Sequence, residues 1–296
     1  MTEFVQQLIN GLSLGSMYAL IALGYTLVYG VLRFINFAHS DIFMVGSFAG
    51  FYLGRGFSGA SLGGGLFVML CAMLLCAALG ILIERLAYRP LRNRSKLTVL
   101  ITAIGVSLLL ENAGQLIFGV NPRAFPETFP SRTFESGGLV LSSKDIVVLV
   151  VTVALLGGLQ FVVHRTKIGT AMRAVAFNPQ AAVLMGININ FIISFTFGLG
   201  SALAAAAGIL WAYKFPKIDP LMGITPGLTA FVAAVLGGIG NIPGAALGGL
   251  LIGVIETLVR GSRWSTWTEA IAFVLLILIL LFRPAGLIGK LQPEKV

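Results

Sequence analysis

Charged side chains are scarce in this sequence of 296 residues, of which Asp, Glu, Lys and Arg together make up 10%. A soluble domain carries about 25% charged residues, because its surface must face water. The shortage of charge therefore excludes an ordinary soluble protein. Hydrophobic residues account for 57% of the chain, and its mean hydropathy is +0.96. We accordingly expect most of its surface to contact lipid.

Cysteine and histidine are also rare. Cys71 and Cys76 lie in one apolar run, at a spacing that suits neither a redox pair nor a zinc site. His39 and His164 are far apart in the sequence. The chain also lacks the GxxxxGK[ST] phosphate loop, so it does not bind ATP in that way. We expect no metal site, no cofactor and no catalytic residue in this chain.

Long apolar runs dominate what is present, and runs of about 20 residues predict membrane-spanning helices. The predicted segments are 8–31, 37–54, 63–84, 97–118, 145–163, 191–213, 227–257 and 268–282. The seventh segment is interrupted by a glycine-rich stretch at 237–244, so it forms either two short crossings or a re-entrant pair. The predicted fold is all-α, a single transmembrane bundle over residues 1–296 with about eight or nine spans, some of them broken or short.

Lys and Arg are distributed unevenly between the two predicted sides. Twelve of the 20 fall on the side that carries Arg33, the segments 85–96 and 164–190 and the C-terminal tail. Cytoplasmic loops carry the positive excess in membrane proteins, so we assign this side to the cytoplasm. Segment 227–257 must then start and finish outside, and the N-terminus also lies outside. The basic balance is thus a topology signal and gives no reason to expect a nucleic-acid partner.

The segment 119–144 is the longest predicted loop on the external side. It is polar and contains Pro122, Pro126 and Pro130. We expect an external cap or a docking surface for an external partner, and a plain connector is an equal alternative.

Polar residues interrupt apolar helical sequence at residues 33–41. This stretch brings together Asn36, His39 and Ser40. Polar groups in a membrane are costly and need partners or a water-lined cavity, so we expect these residues to line or gate a substrate pathway. A satisfied cytoplasmic turn is the alternative. A hydrolase triad is not expected, because these residues are adjacent in sequence and nothing indicates an oxyanion hole.

A second interruption lies within residues 237–244. Paired interruptions by Gly and Pro point to the binding site in transporters that are built from repeats. We therefore predict that the same pathway is also lined by Gly237, Gly238, Gly240 and Asn241.

Three polar residues, Glu111, Asn112 and Gln115, fall inside the fourth predicted span. Glu111 and Gln115 are four positions apart and share one face of a helix. A glutamate in the membrane must face the bundle interior or a cavity. These residues fit a functional role and a structural hydrogen bond between helices equally well.

Two short helices with apolar surface are predicted in the cytoplasmic segment 165–190. Thr170 is expected to cap the first helix. Asn178 is expected to cap the second, with Pro179 at its first position and Gly186 at its end. Apolar surface outside the membrane indicates a docking site for a cytoplasmic protein. A loop that folds back onto its own bundle is the alternative.

Several short motifs occur along the chain in a recognisable order. They are Gly15-Ser16-Met17-Tyr18-Ala19-Leu20, Leu23-Gly24-Tyr25, Asn36-Phe37-Ala38-His39, Asn178-Pro179, Leu184-Met185-Gly186-Ile187, Leu236-Gly237-Gly238 and Arg283-Pro284. Through these motifs the sequence resembles, over nearly its whole length, the permease subunits of branched-chain amino acid ABC transporters, the LivH type.

The resemblance implies a permease that works by alternating access in a bacterial inner membrane. It implies four kinds of partner: a second permease subunit, two cytoplasmic ATPase subunits that hydrolyse ATP, a periplasmic substrate-binding protein and the lipid bilayer. Segment 165–190 would transmit the movement of the ATPases. The contacts would be made by Arg173, Asn178, Pro179, Leu184 and Met185.

Three positions depart from the pattern of the family. Ser40 stands where glycine usually follows the histidine, and Phe177 and Gln180 stand where acidic residues are common. The missing acids bear on the identity of the ATPase partner. Related permeases also move urea, short amides and small carboxylates, so the resemblance indicates branched-chain or related small amino acids without fixing the substrate. An ion-coupled secondary transporter or channel for small polar solutes is the alternative, which broken helices and Glu111 would also suit.

Overall fold

The computed structural model describes residues 2–56, 59–92 and 94–289, and most of them are helical. A π-helical turn, Glu84–Tyr88, and a 3-10 turn, Arg89–Leu91, continue the third helix, and another 3-10 turn, Ser265–Trp267, precedes the last. The α-helices are α1 Thr2–Leu32, α2 His39–Gly54, α3 Leu62–Ile83, α4 Lys96–Phe118, α5 Ser143–Arg165, α6 Lys167–Phe177, α7 Pro179–Leu184, α8 Ile189–Lys214, α9 Ile224–Gly237, α10 Ile242–Arg260 and α11 Thr268–Phe282.

Seven helices in the described part of the chain are long and apolar enough to cross a membrane. They are α1, α4, α5, α8 and α10, together with α3 continued by its π-helical and 3-10 turns, and α11 with the 3-10 turn before it, which makes 18 residues. Two shorter helices complete the bundle, α2 with 16 residues and α9 with 14. At about 1.5 Å per residue both fall short of the ~30 Å hydrocarbon core. The helices agree closely with the predicted spans, and the predicted break in segment 227–257 is confirmed as an antiparallel pair, α9 and α10, joined at residues 238–241.

The connecting segments gather at two opposite ends of the bundle. At one end Arg33 donates a hydrogen bond to the Ala176 carbonyl oxygen. At the other end the Gln6 side chain donates to the Val140 carbonyl oxygen and accepts from the Val140 N–H, both at 2.9 Å. The predicted cytoplasmic segments therefore share one end, and the N-terminus shares the other end with the segment 119–144.

The centre of the bundle is less apolar than its periphery. The best membrane-spanning windows of α1 and α8 have mean hydropathies of 1.5 and 1.8 and are 94% and 83% buried. The corresponding windows of α3 and α5 reach 2.9 and 2.7 and are only 28% and 22% buried. Helices that face lipid must be apolar on the outside, whereas central helices meet other helices through small and polar residues. These four helices follow that order, whereas α4 departs from it, since its window has a mean hydropathy of 1.7 and is only 17% buried.

Glycine lets α10 approach the central helix α1 backbone to backbone. A Cβ atom added to Gly15 would lie 2.7 Å from the Leu250 Cα, and one added to Gly249 would lie 2.5 Å from the Ala19 Cα. Small residues four apart on facing helices permit this approach in membranes. The close contact sets the external half of α10 directly beside α1.

The charge distribution predicts that the end carrying the N-terminus is external, and this end and the opposite one are called the external and the cytoplasmic end. Short strands modify the predicted all-α fold at the external end. Strand β1, Arg123–Ala124, pairs antiparallel with β4, Lys217–Ile218, and β2, Thr133–Ser136, pairs with β3, Leu139–Ser142. The Phe129 ring is fully buried over Gly65, where a Cβ would lie 2.5 Å from it. Phe125, Thr128 and Phe129 of the segment 119–144 are therefore buried, whereas residues 130–135 and 137–138 are exposed. An external cap and a plain connector both remain predictions.

Candidate functional site

The first break, residues 33–38, turns the chain back into the bundle. Arg33 adopts a positive φ of 59° directly after α1 ends. As a result α2 begins beside the middle of α1, where a Cβ on Gly24 would overlap the His39 ring. The Tyr25 ring packs edge-on against the same imidazole, with centroids 4.9 Å apart. Gly24 and Tyr25 thus form the place in which His39 is held.

Side chains of the first break make specific polar contacts inside the protein. Asn36 is 2% exposed, and its Oδ1 accepts a hydrogen bond of 2.6 Å from the Tyr88 hydroxyl on the π-helical turn. The His39 ring contacts the backbone of Ile21, but its buried Nε2 has no partner of normal hydrogen-bond geometry in the described residues. Asn36 and Ala38 are therefore buried, whereas Arg33 is exposed and the other residues of the break are partly buried. A pathway lining and a satisfied cytoplasmic turn both remain predictions.

Ser40 marks the point at which two helices begin. Its Oγ donates to the Phe37 carbonyl oxygen at 3.0 Å, and its side chain and backbone touch Gly223 and Gly227 at the start of α9. From this point α2 runs to the external end and α9 runs to the cytoplasmic end. The N-termini of α2 and α9 thus meet inside the bundle, and each carries a partial positive charge.

The second break, residues 238–241, consists mainly of backbone contacts. Gly238 and Gly240 adopt φ values of 107° and 93°, which favour glycine. A Cβ on Gly237 would overlap the Gly244 carbonyl oxygen, and Gly238 lies against residues 285–289. Asn241 caps α10 by accepting from the Gly244 N–H at 3.3 Å and donates to the Ile288 carbonyl oxygen at 3.0 Å. A tight turn explains all four predicted residues of this break structurally, and their place in a pathway remains a prediction.

The polar residues of α4 divide between two faces. Glu111 and Gln115 are partly buried on one face, as predicted. Ser107, which the sequence did not single out, lies one turn before Glu111 and donates a 2.5 Å hydrogen bond to the buried Asp41 carboxylate of α2. Asn112 is exposed on another face, where its Nδ2 donates to the Leu108 carbonyl oxygen of its own helix at 2.7 Å.

The cytoplasmic segment folds into α6 and α7 with one correction to the prediction. Thr166, not Thr170, caps α6 by accepting from the Gly169 N–H at 3.1 Å, because the helix starts again immediately after α5. The second cap is confirmed: Asn178 accepts from the Ala181 N–H at 3.1 Å, with Pro179 at the first helical position. The predicted end of α7 at a glycine is confirmed as well, since Gly186 has a φ of 79°.

Large apolar side chains stand exposed on this segment. Leu184 is 88% exposed and Met185 is 81% exposed, and the exposed Phe177 and Val183 lie near them in sequence. We call these four residues the cytoplasmic patch. The other face of α6 is buried in the bundle. The segment therefore folds back onto its own bundle on one side and exposes apolar side chains on the other. Phe177 and Val183 were not predicted, although the missing acid at position 177 was a sequence signal.

Arg173 has a different position from the cytoplasmic patch. Its guanidinium donates to the Val163 carbonyl oxygen at the end of α5 and to the Thr170 hydroxyl at 3.3 Å. The side chain thus fastens α6 to α5, and its predicted contact with an ATPase would have to coexist with these bonds.

Comparison with known proteins is consistent along the whole chain. Residues 7–280 match the family described as "Branched-chain amino acid transport system / permease component". The chain is 43% identical, over 99% of its length and 98% of the relative's, to the high-affinity branched-chain amino acid transport system permease protein BraD of Pseudomonas aeruginosa. It is 39% identical to the permease protein LivH of Escherichia coli, again over 99% and 98% of the two chains. A probable LivH of Methanocaldococcus jannaschii is 29% identical over 93% of this chain and 89% of the relative. The protein is a multi-pass membrane protein that belongs to the family of branched-chain amino acid transport permeases.

Proposed function

We propose that this chain forms part of the translocation pathway of an ATP-driven importer for branched-chain or related small amino acids in a bacterial inner membrane. The observation that carries the proposal is the end-to-end similarity to permeases of such systems, at 43% identity over 99% of the chain for BraD. A second permease subunit, two ATPase subunits and a periplasmic binding protein would complete the transporter. Residues 1–296 would act as one permease domain.

In this proposal ATP is hydrolysed by other subunits. The sequence contains no GxxxxGK[ST] loop, which ATPases of this kind use to hold phosphate groups. ATP and the loaded binding protein must favour different conformations of the permease, because a ligand with equal affinity for both states shifts nothing. The chain therefore needs a surface that receives the motion and a path that carries it inwards.

The cytoplasmic patch supports the first requirement. Exposed apolar clusters of this kind mark interaction sites when they lie in water. The four side chains project at the end that the positive-inside rule assigns to the cytoplasm. Leu184 and Met185, both predicted as coupling residues, would insert into an apolar groove of an ATPase, with Asn178 and Pro179 setting the position of α7.

The π-helical turn supports the second requirement. At its first residue the fully buried Glu84 accepts a 2.5 Å hydrogen bond from Ser194 in α8 and lies 3.1 Å from Arg92. At its last residue Tyr88 donates to Asn36 in the first break. Because α8 follows α7 directly, a shift of the coupling segment would reach the first break through one turn of π-helix, and such turns are frequent at functional sites.

Three aromatic rings provide a barrier that such a shift would open. Phe231 of α9 lies 6.1 Å from Tyr25 of α1 and 6.2 Å from Phe37 of the first break, measured between ring centroids. They occupy the space between the start of α9 and the cytoplasmic end. We infer that Asn36, His39 and Ser40 position this barrier on the pathway.

Reconstitution of the complete transporter tests the proposal. The chain is co-expressed with candidate ATPases, a candidate second permease and a candidate binding protein, and ATP-dependent uptake of leucine is measured in proteoliposomes. We expect uptake to require both ATP and the binding protein. Uptake without the ATPases would instead support an ion-coupled transporter.

A paired substitution tests the coupling surface. Leu184→Asp with Met185→Asp should reduce co-purification of the ATPases and ATP-driven uptake by about tenfold or more, since a tenfold change in binding corresponds to about 1.4 kcal/mol. The matched control is Phe134→Asp with Val140→Asp, which places the same two charges on exposed apolar side chains of the external strands β2 and β3. An intact complex with normal uptake in the double variant would refute the assignment of the cytoplasmic patch.

A further inference from the structure

A cavity of about 260 Å³ lies at the external end, enclosed by α1, α8, α9, α10 and α11. Its walls carry apolar surface from Trp211, Met222 and Pro226. Both signs of charge also line it, with three acidic and two basic side chains: Asp219, Glu256, Glu269, Lys217 and Arg260. Small-molecule sites typically measure about 300 to 1,000 Å³ and are mainly apolar with a few placed polar groups. This cavity is close to that range and suits a compact solute.

Glu256 is a buried carboxylate with unused capacity to accept hydrogen bonds. Its side chain is only 11% exposed, and its Oε1 lies 2.5 Å from an Arg260 nitrogen. The Tyr18 hydroxyl faces the same carboxylate. Oε2 is buried without a hydrogen-bond partner of normal geometry in the described residues. Because such an atom is costly unless it is satisfied, it indicates a place for a donor such as an ammonium group.

Positive charge, which a carboxylate requires, lies on the same side of the cavity. Arg260 is half exposed and lines the cavity, and a guanidinium has five N–H donors, of which the bond to Glu256 uses one. Thr225 and Pro226 in the first turn of α9 form another part of the wall. The start of a helix of 14 residues favours negative charge through its dipole, although Pro226 has no N–H and the N–H groups of Ile224 and Gly227 already donate to Leu221 and Gly223. A carboxylate would therefore be held between Arg260 and the start of α9.

We propose that this cavity is the receiving site for a zwitterionic α-amino acid with an aliphatic side chain. Glu256 takes the ammonium group, Arg260 and the start of α9 take the carboxylate, and the walls at Trp211 and Met222 contact the aliphatic part. The direction of transport through the site rests on the proposed function, whereas binding itself does not. A structural ion pair without a ligand is the competing interpretation.

The location of the cavity connects it with the first break. The first turn of α9 forms part of the cavity wall, and the next residue, Gly227, touches Ser40. The start of α9 thus contacts both the cavity and Ser40. A wider cavity of about 420 Å³ shares Arg260 and lies beside it at the external end, lined also by Gln7 and Asn10.

Binding to the purified full-length chain in lipid nanodiscs tests the site with three small probes. Isothermal titration compares leucine with 4-methylpentanoate, which lacks the amino group, and with 3-methylbutylamine, which lacks the carboxylate. The wild-type chain should bind leucine at least tenfold more tightly than either analogue. Glu256→Gln should weaken leucine binding about tenfold and leave 4-methylpentanoate unchanged. Arg260→Gln should weaken leucine similarly and leave 3-methylbutylamine unchanged.

The control variant is Glu135→Gln, which removes an exposed external carboxylate on β2 and should bind all three probes as the wild type does. Equal binding of leucine by wild type and both cavity variants, or no preference of the wild type for the zwitterion, overturns the inference. Uptake assays on the whole transporter separate this result from the proposed function. Normal leucine uptake with no charge-selective binding removes only the site. Charge-selective binding without ATP-driven uptake removes only the proposed function.

Discussion

The two breaks in the helices of this permease are built in different ways. The first break is held by side chains, through the hydrogen bond between Asn36 and Tyr88 and the packing of His39 over Gly24. The second break is held by backbone, with Gly237 against Gly244 and the left-handed turn at Gly238 covered by the C-terminal segment.

This difference assigns different mechanical roles to the two breaks. Side-chain hydrogen bonds can exchange partners when neighbouring helices shift by an ångström or two, and packed elements switch between discrete arrangements. A backbone turn without free space cannot do so without losing its packing. We infer that α2 and the first break move during transport, whereas α9 and α10 move as one unit about a fixed turn.

The largest effect is expected from adding a side chain at the second break. In Gly237→Val the new side chain meets the Gly244 backbone, which cannot be relieved by a rotamer change, so the variant should lose about 3 kcal/mol of stability. The amount of monodisperse protein after detergent extraction measures this loss. Gly105→Val on the exposed face of α4 is the control, because nothing lies within 4 Å of its added Cβ. Normal yield of Gly237→Val would show that the second break is not fixed.

A smaller but coupled effect is expected at Gly24. Gly24→Ala displaces the His39 ring and should lower stability by about 1–3 kcal/mol, measured by thermal unfolding. His39→Ala removes the ring and with it the conflict. The loss in Gly24→Ala/His39→Ala should therefore be smaller than the sum of the two single losses by about 1 kcal/mol or more. Additive losses would contradict the direct contact.

The hydrogen bond between Asn36 and Tyr88 gives the next smaller effect. Asn36→Leu leaves the Tyr88 hydroxyl without its partner, at an expected cost of about 1–3 kcal/mol. Tyr88→Phe in the same chain removes the orphaned hydroxyl and should restore part of the stability. Transport should remain impaired in the double variant, because the proposed link between the π-helical turn and the first break is absent. Full recovery of uptake would assign this bond to stability alone.

Hydropathy predicted the spans well, because every long helix must carry an apolar surface wherever it meets lipid. The cap at Asn178 was predicted for a similar reason, since it depends on residues only three positions apart. The cap at Asn241 has the same spacing but was not predicted, because Asn241 was assigned to the pathway. The turn of the chain into the bundle at the first break could not be predicted from the sequence. It depends on the space that Gly24 leaves for the His39 ring, and these two residues are distant in sequence. The cavity was not predicted, although the spacing of four between Glu256 and Arg260 places them on one helix face.

The smallest effect is expected from the side chain that caps the second break. Asn241→Ala removes the acceptor for the Gly244 N–H and the donor to Ile288, and loss of an N-cap costs about 1 kcal/mol. If backbone packing holds this break, the variant should unfold at a slightly lower temperature and transport leucine at the wild-type rate. Asn241→Asp is the matched comparison: it keeps the capping oxygen but loses the amide donor, so it separates the cap from the bond to the C-terminal segment. A loss of uptake in Asn241→Ala as large as that in Asn36→Leu would place the second break among the moving parts, and the two breaks would then work as a symmetric pair.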